Sequence, residues 1–177
     1  MLSYNVADLL RSAPGTSERF AVSVPTLAVA DDIELTAPVT GEVRLTYSGR
    51  SILVQGRFET AIAEHCSRCL GPASAPLVVE VEEEALPAID LESGRPVDAG
   101  EEPDVLRLTD HHELDLEPVV RDAISLAEPI APLCRQDCPG LCVTCGAELA
   151  ADPGHAHADA EVDPRLAALA GIRERLQ

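Results

Sequence analysis

The chain has 177 residues, 46% of them apolar, and a formal net charge of −18 that sets 31 acidic residues against 13 basic ones, all Arg. Such an anion repels nucleic-acid phosphates, so tight direct binding of RNA or DNA is disfavoured and a basic protein partner suits the charge better. With no Trp, two Phe and two Tyr, the core falls to Val, Leu, Ile and Ala, and a thin aliphatic core gains from a cross-link.

The opening "MLSYNVADLLRSAPG" lacks a basic start and puts Asp8 and Arg11 where a signal peptide needs an apolar run. "FAVSVPTLAVA" is interrupted by Pro25 and is too short to span a bilayer. The expectation is a soluble, cytoplasmic protein, and in that reducing compartment cysteines serve metals or catalysis rather than disulfides.

"NVADLL" predicts a helical turn capped by Asn5, and the alternation of Phe20, Val22 and Val24 predicts a strand. From Ile33 to Tyr47 every odd position except Gly41 is apolar, while the even positions between are Glu, Thr, Pro or Arg. After "SGRS" the apolar set moves to even positions: Ile52, Val54, Phe58 and Ile62, with Gly56 among them. A hairpin that pairs Tyr47 with Ile52, Leu45 with Val54, Val43 with Gly56 and Gly41 with Phe58 puts both sets on one face. Pro38 predicts an edge or a bulge at the far end.

The return strand runs into "HCSRCLGP", and "APLVVEVE" resumes as a strand, so "CSRC" belongs at a turn between strands. Residues 90–104, rich in acids, Gly and Pro, predict a solvated, mobile loop. Asp115 caps an expected helix over 115–127 that Pro129 stops, and a last helix is expected to open at Asp163 and Pro164. The predicted class is α+β: an antiparallel sheet or partial barrel built on the long hairpin, with two helices and a Cys/His-rich C-terminal segment. Residues 1–130 are expected to form the β-rich core, and residues 131–177 the Cys/His segment and C-terminal helix, packed on the same domain.

Six cysteines stand in paired spacings: Cys66 and Cys69, Cys134 and Cys138, Cys142 and Cys145. A redox CxxC wants a helix behind its first thiol, but "CSRCLGP" leads to a strand and "CVTCG" to a glycine. Thiolates in tight turns, in well-separated pairs, match structural zinc. Adding His155 and His157 from "DPGHAHAD" makes eight donors, enough for two four-coordinate ions. The preferred grouping is Cys66, Cys69, Cys134 and Cys138 in one site and Cys142, Cys145, His155 and His157 in the other. The alternatives are Cys66 and Cys69 paired with Cys142 and Cys145, and histidines that merely belong to a solvated loop. His65, His111 and His112 are read as surface or structural.

No Ser-His-Asp set or phosphate loop is present in the sequence. A four-thiolate site has no open position, so the expectation is a structural zinc, one or two ions, in a protein that is not an enzyme. A zinc-dependent enzyme would have only Glu148 and Asp152 as nearby bases. The competing non-enzymatic reading is an RNA-binding module that gathers Arg44, Arg50, Arg57 and Arg68 into a basic strip on the hairpin.

The ordered set of "CSRCL", the acidic middle, "LDLEPVVRDAISLAEPIAPLC", "CRQDCPGLCVTCGAEL" and "DPRLAAL" resembles the YceD family. These are bacterial proteins, also found in plastids, described as needed for accumulation of large-subunit (23S) ribosomal RNA. The resemblance is strongest over 60–70 and 115–170. It implies that the family's paired cysteines correspond to Cys66 and Cys69, Cys134 and Cys138, and Cys142 and Cys145. Many relatives carry Cys-x-Cys before their "DPR", and His155 and His157 take that place here. The resemblance also implies a role in ribosome assembly. The partners expected are a basic ribosomal protein or a pre-large-subunit particle, with no membrane and no small-molecule substrate.

Overall fold

A computed structural model describes residues 2–90, 94–97 and 105–157. The expected helix at Asp163 and Pro164, and residues 91–93 and 98–104 of the acidic stretch, lie outside the described residues.

In chain order the elements are β1 (Ser3–Asn5), α1 (Ala7–Leu10), β2 (Ser17–Val24), β3 (Val39–Tyr47), β4 (Ile52–His65), β5 (Pro72–Ala85), β6 (Glu113–Asp115) and α2 (Glu117–Leu126). Four of them make an antiparallel sheet in the order β2-β3-β4-β5, and β1 pairs with β6 in a separate two-stranded sheet. Among the described residues β2 and β5 do not pair, so the sheet is not closed.

The hairpin register matches the alternation: Tyr47 faces Ile52, Leu45 faces Val54, Val43 faces Gly56 and Gly41 faces Phe58. Gly56 makes room for the Phe58 ring, and Gly41 for the backbone of the facing strand. A Cβ on Gly56 would meet the Phe58 ring at 2.6 Å, and one on Gly41 would run into the Arg57 carbonyl. At the turn Ser48 N–H donates to the Ser51 carbonyl (2.9 Å) and Gly49 has φ +104°.

The first hairpin strand is shorter than its alternation predicts, beginning at Val39 rather than Ile33. Thr40 pairs with Glu59, but the next bridge joins Leu35 to Ile62, so residues 36–39 span a shorter stretch of β4. Pro38 lies in that offset, where its missing N–H costs no ladder bond. Beyond it Thr36 N–H donates to the Ala61 carbonyl and Ala63 N–H to the Glu34 carbonyl, both 2.8 Å.

One face of the sheet is covered. Val43, Leu45, Ile52, Val54, Phe58 and Ile62 are at most 1% exposed, and α2 contributes Val120 and Ile124, both fully buried. Phe58 is the largest fully buried side chain in an otherwise aliphatic core, with Tyr4 and Phe20 packed at its margin at a ring separation of 4.8 Å. Each helix start is held from outside the helix: Asn5 Oδ1 accepts from Ala7 N–H (3.1 Å) and Asp115 Oδ1 from Glu117 N–H (3.0 Å).

Residues 90 and 94–97 are the described part of the acidic stretch. Val97 N–H donates to the Ala88 carbonyl and Asp90 N–H to the Arg95 carbonyl, both 2.9 Å. Asp90, the described acid of the stretch, is exposed.

Candidate metal centre

The turn between β4 and β5 makes the first cysteine pair. Cys66 N–H donates to the Gly71 carbonyl and Leu70 N–H to the Cys66 carbonyl, both 2.8 Å. The second CxxC repeats this bonding: Cys142 N–H donates to the Ala147 carbonyl and Gly146 N–H to the Cys142 carbonyl, again both 2.8 Å. Both turns need a left-handed residue after the second cysteine. Gly146 supplies it at φ +74°, whereas Leu70 adopts φ +60° against its steric preference. Such turns aim two sulfurs the same way and leave backbone N–H groups close to them.

The structure brings Cys66, Cys69, Cys134 and Cys138 together, and separately Cys142, Cys145, His155 and His157, with the ligand atoms of each set within 4.8 Å of one another. Cys66 and Cys138 are buried, Cys69 is half-buried and Cys134 exposed. Ser67 ties the first turn to the segment after α2, donating to the Pro132 carbonyl from both its N–H (2.8 Å) and its hydroxyl (2.7 Å).

Spacing tests whether these donors suit a metal. Sulfurs at the corners of a zinc tetrahedron lie about 3.8 Å apart, given Zn–S of about 2.3 Å. Cys66 Sγ to Cys138 Sγ and Cys69 Sγ to Cys134 Sγ are both 3.8 Å. That is far beyond the bonded distance of about 2.05 Å, so neither pair is a disulfide. In the other set Cys145 Sγ is 3.2 Å from Nε2 of both His155 and His157, and the two Nε2 atoms are 2.9 Å apart. These lie slightly inside the tetrahedral values of about 3.3–3.6 Å for small nitrogen and sulfur ligands. The Asp152 carboxylate sits 3.7 Å from His155 Nδ1, on the side of the ring away from the other donors, where carboxylates orient metal-binding imidazoles.

The acidities of the thiols suit a donor set that binds a cation. The backbone N–H groups of Cys134 and Cys69 hold the Cys66 thiol down to about 6, and those of Cys145 and Thr144 hold Cys142 down to about 6. Cys134 is pushed up to about 12, first by its sulfur neighbour Cys138 and then by burial. At Cys69 the Gly71 amide pulls downward, but the Cys66 sulfur and burial outweigh it and the thiol is raised. Clustered thiols cannot all ionise without a cation between them. The residues present therefore fit a thiophilic divalent ion.

Two contributors escaped the sequence reading. Arg68, grouped there with an Arg strip, instead reaches the first cluster's main chain, where Nη1 donates to the Cys138 carbonyl at 2.9 Å. Gly140, at φ +80°, lies against it; a Cβ there would come 3.0 Å from the Arg68 carbonyl. "CPGLC" held a signal for the glycine, since a turn between ligands favours positive φ, but nothing local marked the arginine.

The other strip members are dispersed or neutralised. Arg57 pairs with Glu80 (2.8 Å) and Arg50 with Glu84 (3.6 Å), while Arg44 lies on the exposed face between Arg19 and Gln55. His65 is exposed at the end of β4. His111 and His112 stay in the turn before β6, where His112 has φ +59° and its carbonyl accepts from Val6 N–H at 2.9 Å. Glu148 is bridged to Leu141 beside the second cysteine turn. No helix among the described residues is long and apolar enough to cross a membrane.

A family model described as "Large ribosomal RNA subunit accumulation protein YceD" matches residues 54–173, a span that holds all eight donors. An uncharacterized protein of Mycobacterium tuberculosis (strain H37Rv) is 35% identical over 128 residues, 72% of this chain and 58% of the relative. An uncharacterized protein of Mycobacterium bovis gives the same figures. One from Mycobacterium leprae is 32% identical over 160 residues, 88% of this chain and 70% of the relative. The chain thus spans less than two thirds of the length of the first two. No solved structure matches.

Proposed function

The chain belongs to the YceD family, and from that premise we propose that it is a zinc-binding, non-enzymatic factor in ribosome biogenesis. It supports accumulation of large-subunit ribosomal RNA by holding a basic ribosomal protein. The observation that carries this is the convergence of Cys66, Cys69, Cys134 and Cys138 at tetrahedral spacing, within a span matched by a family described by ribosomal RNA accumulation. Bound zinc would serve as a rigid cross-link between the β4–β5 turn and the segment after α2. With four protein donors in each set no position is left for a reacting water, so both centres are read as structural.

Charge supports the choice of partner. A chain at −18 with no Lys attracts a cationic protein and repels bare RNA. The Arg-strip reading is less favoured, because Arg57 and Arg50 are taken up by glutamates and Arg68 by the Cys138 carbonyl.

The test is a low-salt pull-down on the zinc-loaded full chain, with and without nuclease, in parallel with large- to small-subunit ribosomal RNA ratios in cells depleted of it. Recovery of a basic ribosomal protein that survives nuclease, with a lowered ratio on depletion, is the expected result. Recovery of RNA alone would overturn the choice of partner. An unchanged ratio would overturn the role itself.

A further inference from the structure

We propose that the open edge of β5 beside α2 takes up an extended, Lys- or Arg-rich segment of a partner protein as a fifth strand. This deepens the reading that the partner is a basic protein and rests on it.

β5 is an outer strand of the sheet. The Cys66 N–H bond to Gly71 fixes the ladder's phase: residues of even number on β4 exchange bonds with β5. The opposite edge agrees, since Ala61 and Ala63 bond to Thr36 and Glu34 instead. Their partners on β5 are Ala75, Leu77, Val79 and Val81, which leaves the N–H and C=O of Val78, Glu80 and Glu82 pointing outward. These groups have no hydrogen-bond partner among the described residues. Pro72 and Pro76 share that outward phase, so the first half of the edge is blunted. Past Ala85 the edge is occupied, because Leu86 N–H donates to the Leu106 carbonyl and Leu108 N–H to the Leu86 carbonyl, both 2.9 Å. Among the described residues Val78–Glu84 stays open, about 23 Å of strand at about 3.3 Å per residue.

This edge borders a cavity of about 850 Å³ between β5 and α2, floored by Val81 and Val119 and rimmed by Glu80, Glu82, Glu83 and Asp122. Glu80 is paired with Arg57, but Glu82, Glu83 and Asp122 form no ion pair among the described residues. Arg107, the basic residue on the rim, donates to the Val97 carbonyl. Main-chain pairing along such an edge supplies affinity, and side chains of the added strand supply specificity at every second position. Cations at alternate positions would face the glutamates. The same acids disfavour two other occupants: a nucleic acid, whose phosphates they repel, and a second copy, whose β5 would set acid against acid.

The probe is a synthetic Lys-Val-Lys-Val-Lys-Val-Lys peptide titrated into the zinc-loaded full chain, with a control in which Pro replaces each Val. Val78→Pro removes one outward N–H and no ladder bond, as Pro76 already does. The Lys-Val peptide should bind and slow amide exchange at Val78, Glu80 and Glu82, and Val78→Pro, with zinc content unchanged, should weaken it about tenfold. Glu82→Gln with Asp122→Asn should flatten the salt dependence. Equal binding of both peptides, indifference to Val78→Pro, self-association that Val78→Pro abolishes, or the same amides already protected without peptide would each overturn the proposal. If Val78→Pro captures a basic ribosomal protein as well as the parent chain, the edge is wrong and the partner reading stands. If the parent chain captures none, it is the partner reading that fails.

Discussion

The Arg68 guanidinium, on the turn between β4 and β5, donates to the carbonyl of Cys138 at 2.9 Å, across 70 residues of chain. The Arg68 carbonyl accepts in turn from Leu141 N–H at 3.1 Å. One residue thus grips both ends of Pro139–Gly140, the link between the last donor of the four-cysteine set and the first turn of the Cys/His set. Outer partners of this kind fix ligand orientation.

Replacing Arg68 by Ala should therefore weaken zinc binding roughly 10–100-fold, read by competition with a chromophoric chelator. Arg44→Ala, on the exposed sheet face, should leave it unchanged. Equal effects would mean that Arg68 acts only through charge.

The two sets differ in burial, and their losses should differ accordingly. The zinc-saturated chain should contain two zinc ions per chain if both sets are occupied, a count that elemental analysis checks. Cys66→Ser should lose one ion together with cooperative unfolding, because Cys66 is fully buried beside the sheet. His155→Ala, in the more exposed set, should lose one ion and keep the sheet's circular dichroism.

Zinc uptake should release protons, and affinity should fall as pH falls. Cys66 ionises above about 6, but Cys134 keeps its proton up to about 12 in the metal-free chain. Near neutral pH the ion must therefore displace protons, and more of them once the pH drops below the Cys66 value. Titrations in weak buffer check the release; affinity that does not change with pH would contradict thiolate ligation.

Leu70 and Gly146 occupy equivalent positions in the two cysteine turns. Leu70→Gly should relieve a left-handed backbone cost of about 1–2 kcal/mol, partly offset by the greater freedom of glycine in the unfolded chain. Gly146→Leu should introduce that cost. Chelator competition on each variant reads the two directions.

Gly56→Val should destabilise the sheet by about 1–3 kcal/mol, because a Cβ there already meets the Phe58 ring at 2.6 Å. Denaturant unfolding checks it, and Gly56→Val with Phe58→Leu should recover part of the loss.

Strand alternation from Val39 to Ile62 was legible in the sequence because backbone pleating forces period two locally, and a four-residue turn then sets the pairing of Tyr47 with Ile52. The inventory of sulfur and imidazole donors was equally plain, since turn-spaced cysteines are a local pattern. Which donors meet was not local. Cys66 and Cys138 lie 72 residues apart, and their approach depends on where β4, β5 and α2 deliver the chain. The offset beyond Pro38 and the bond from Arg68 to the Cys138 carbonyl were invisible for the same reason, and so was the edge of β5 left open among the described residues. Each is decided by partners brought from elsewhere in the fold, and neither periodicity nor composition carries information about those partners.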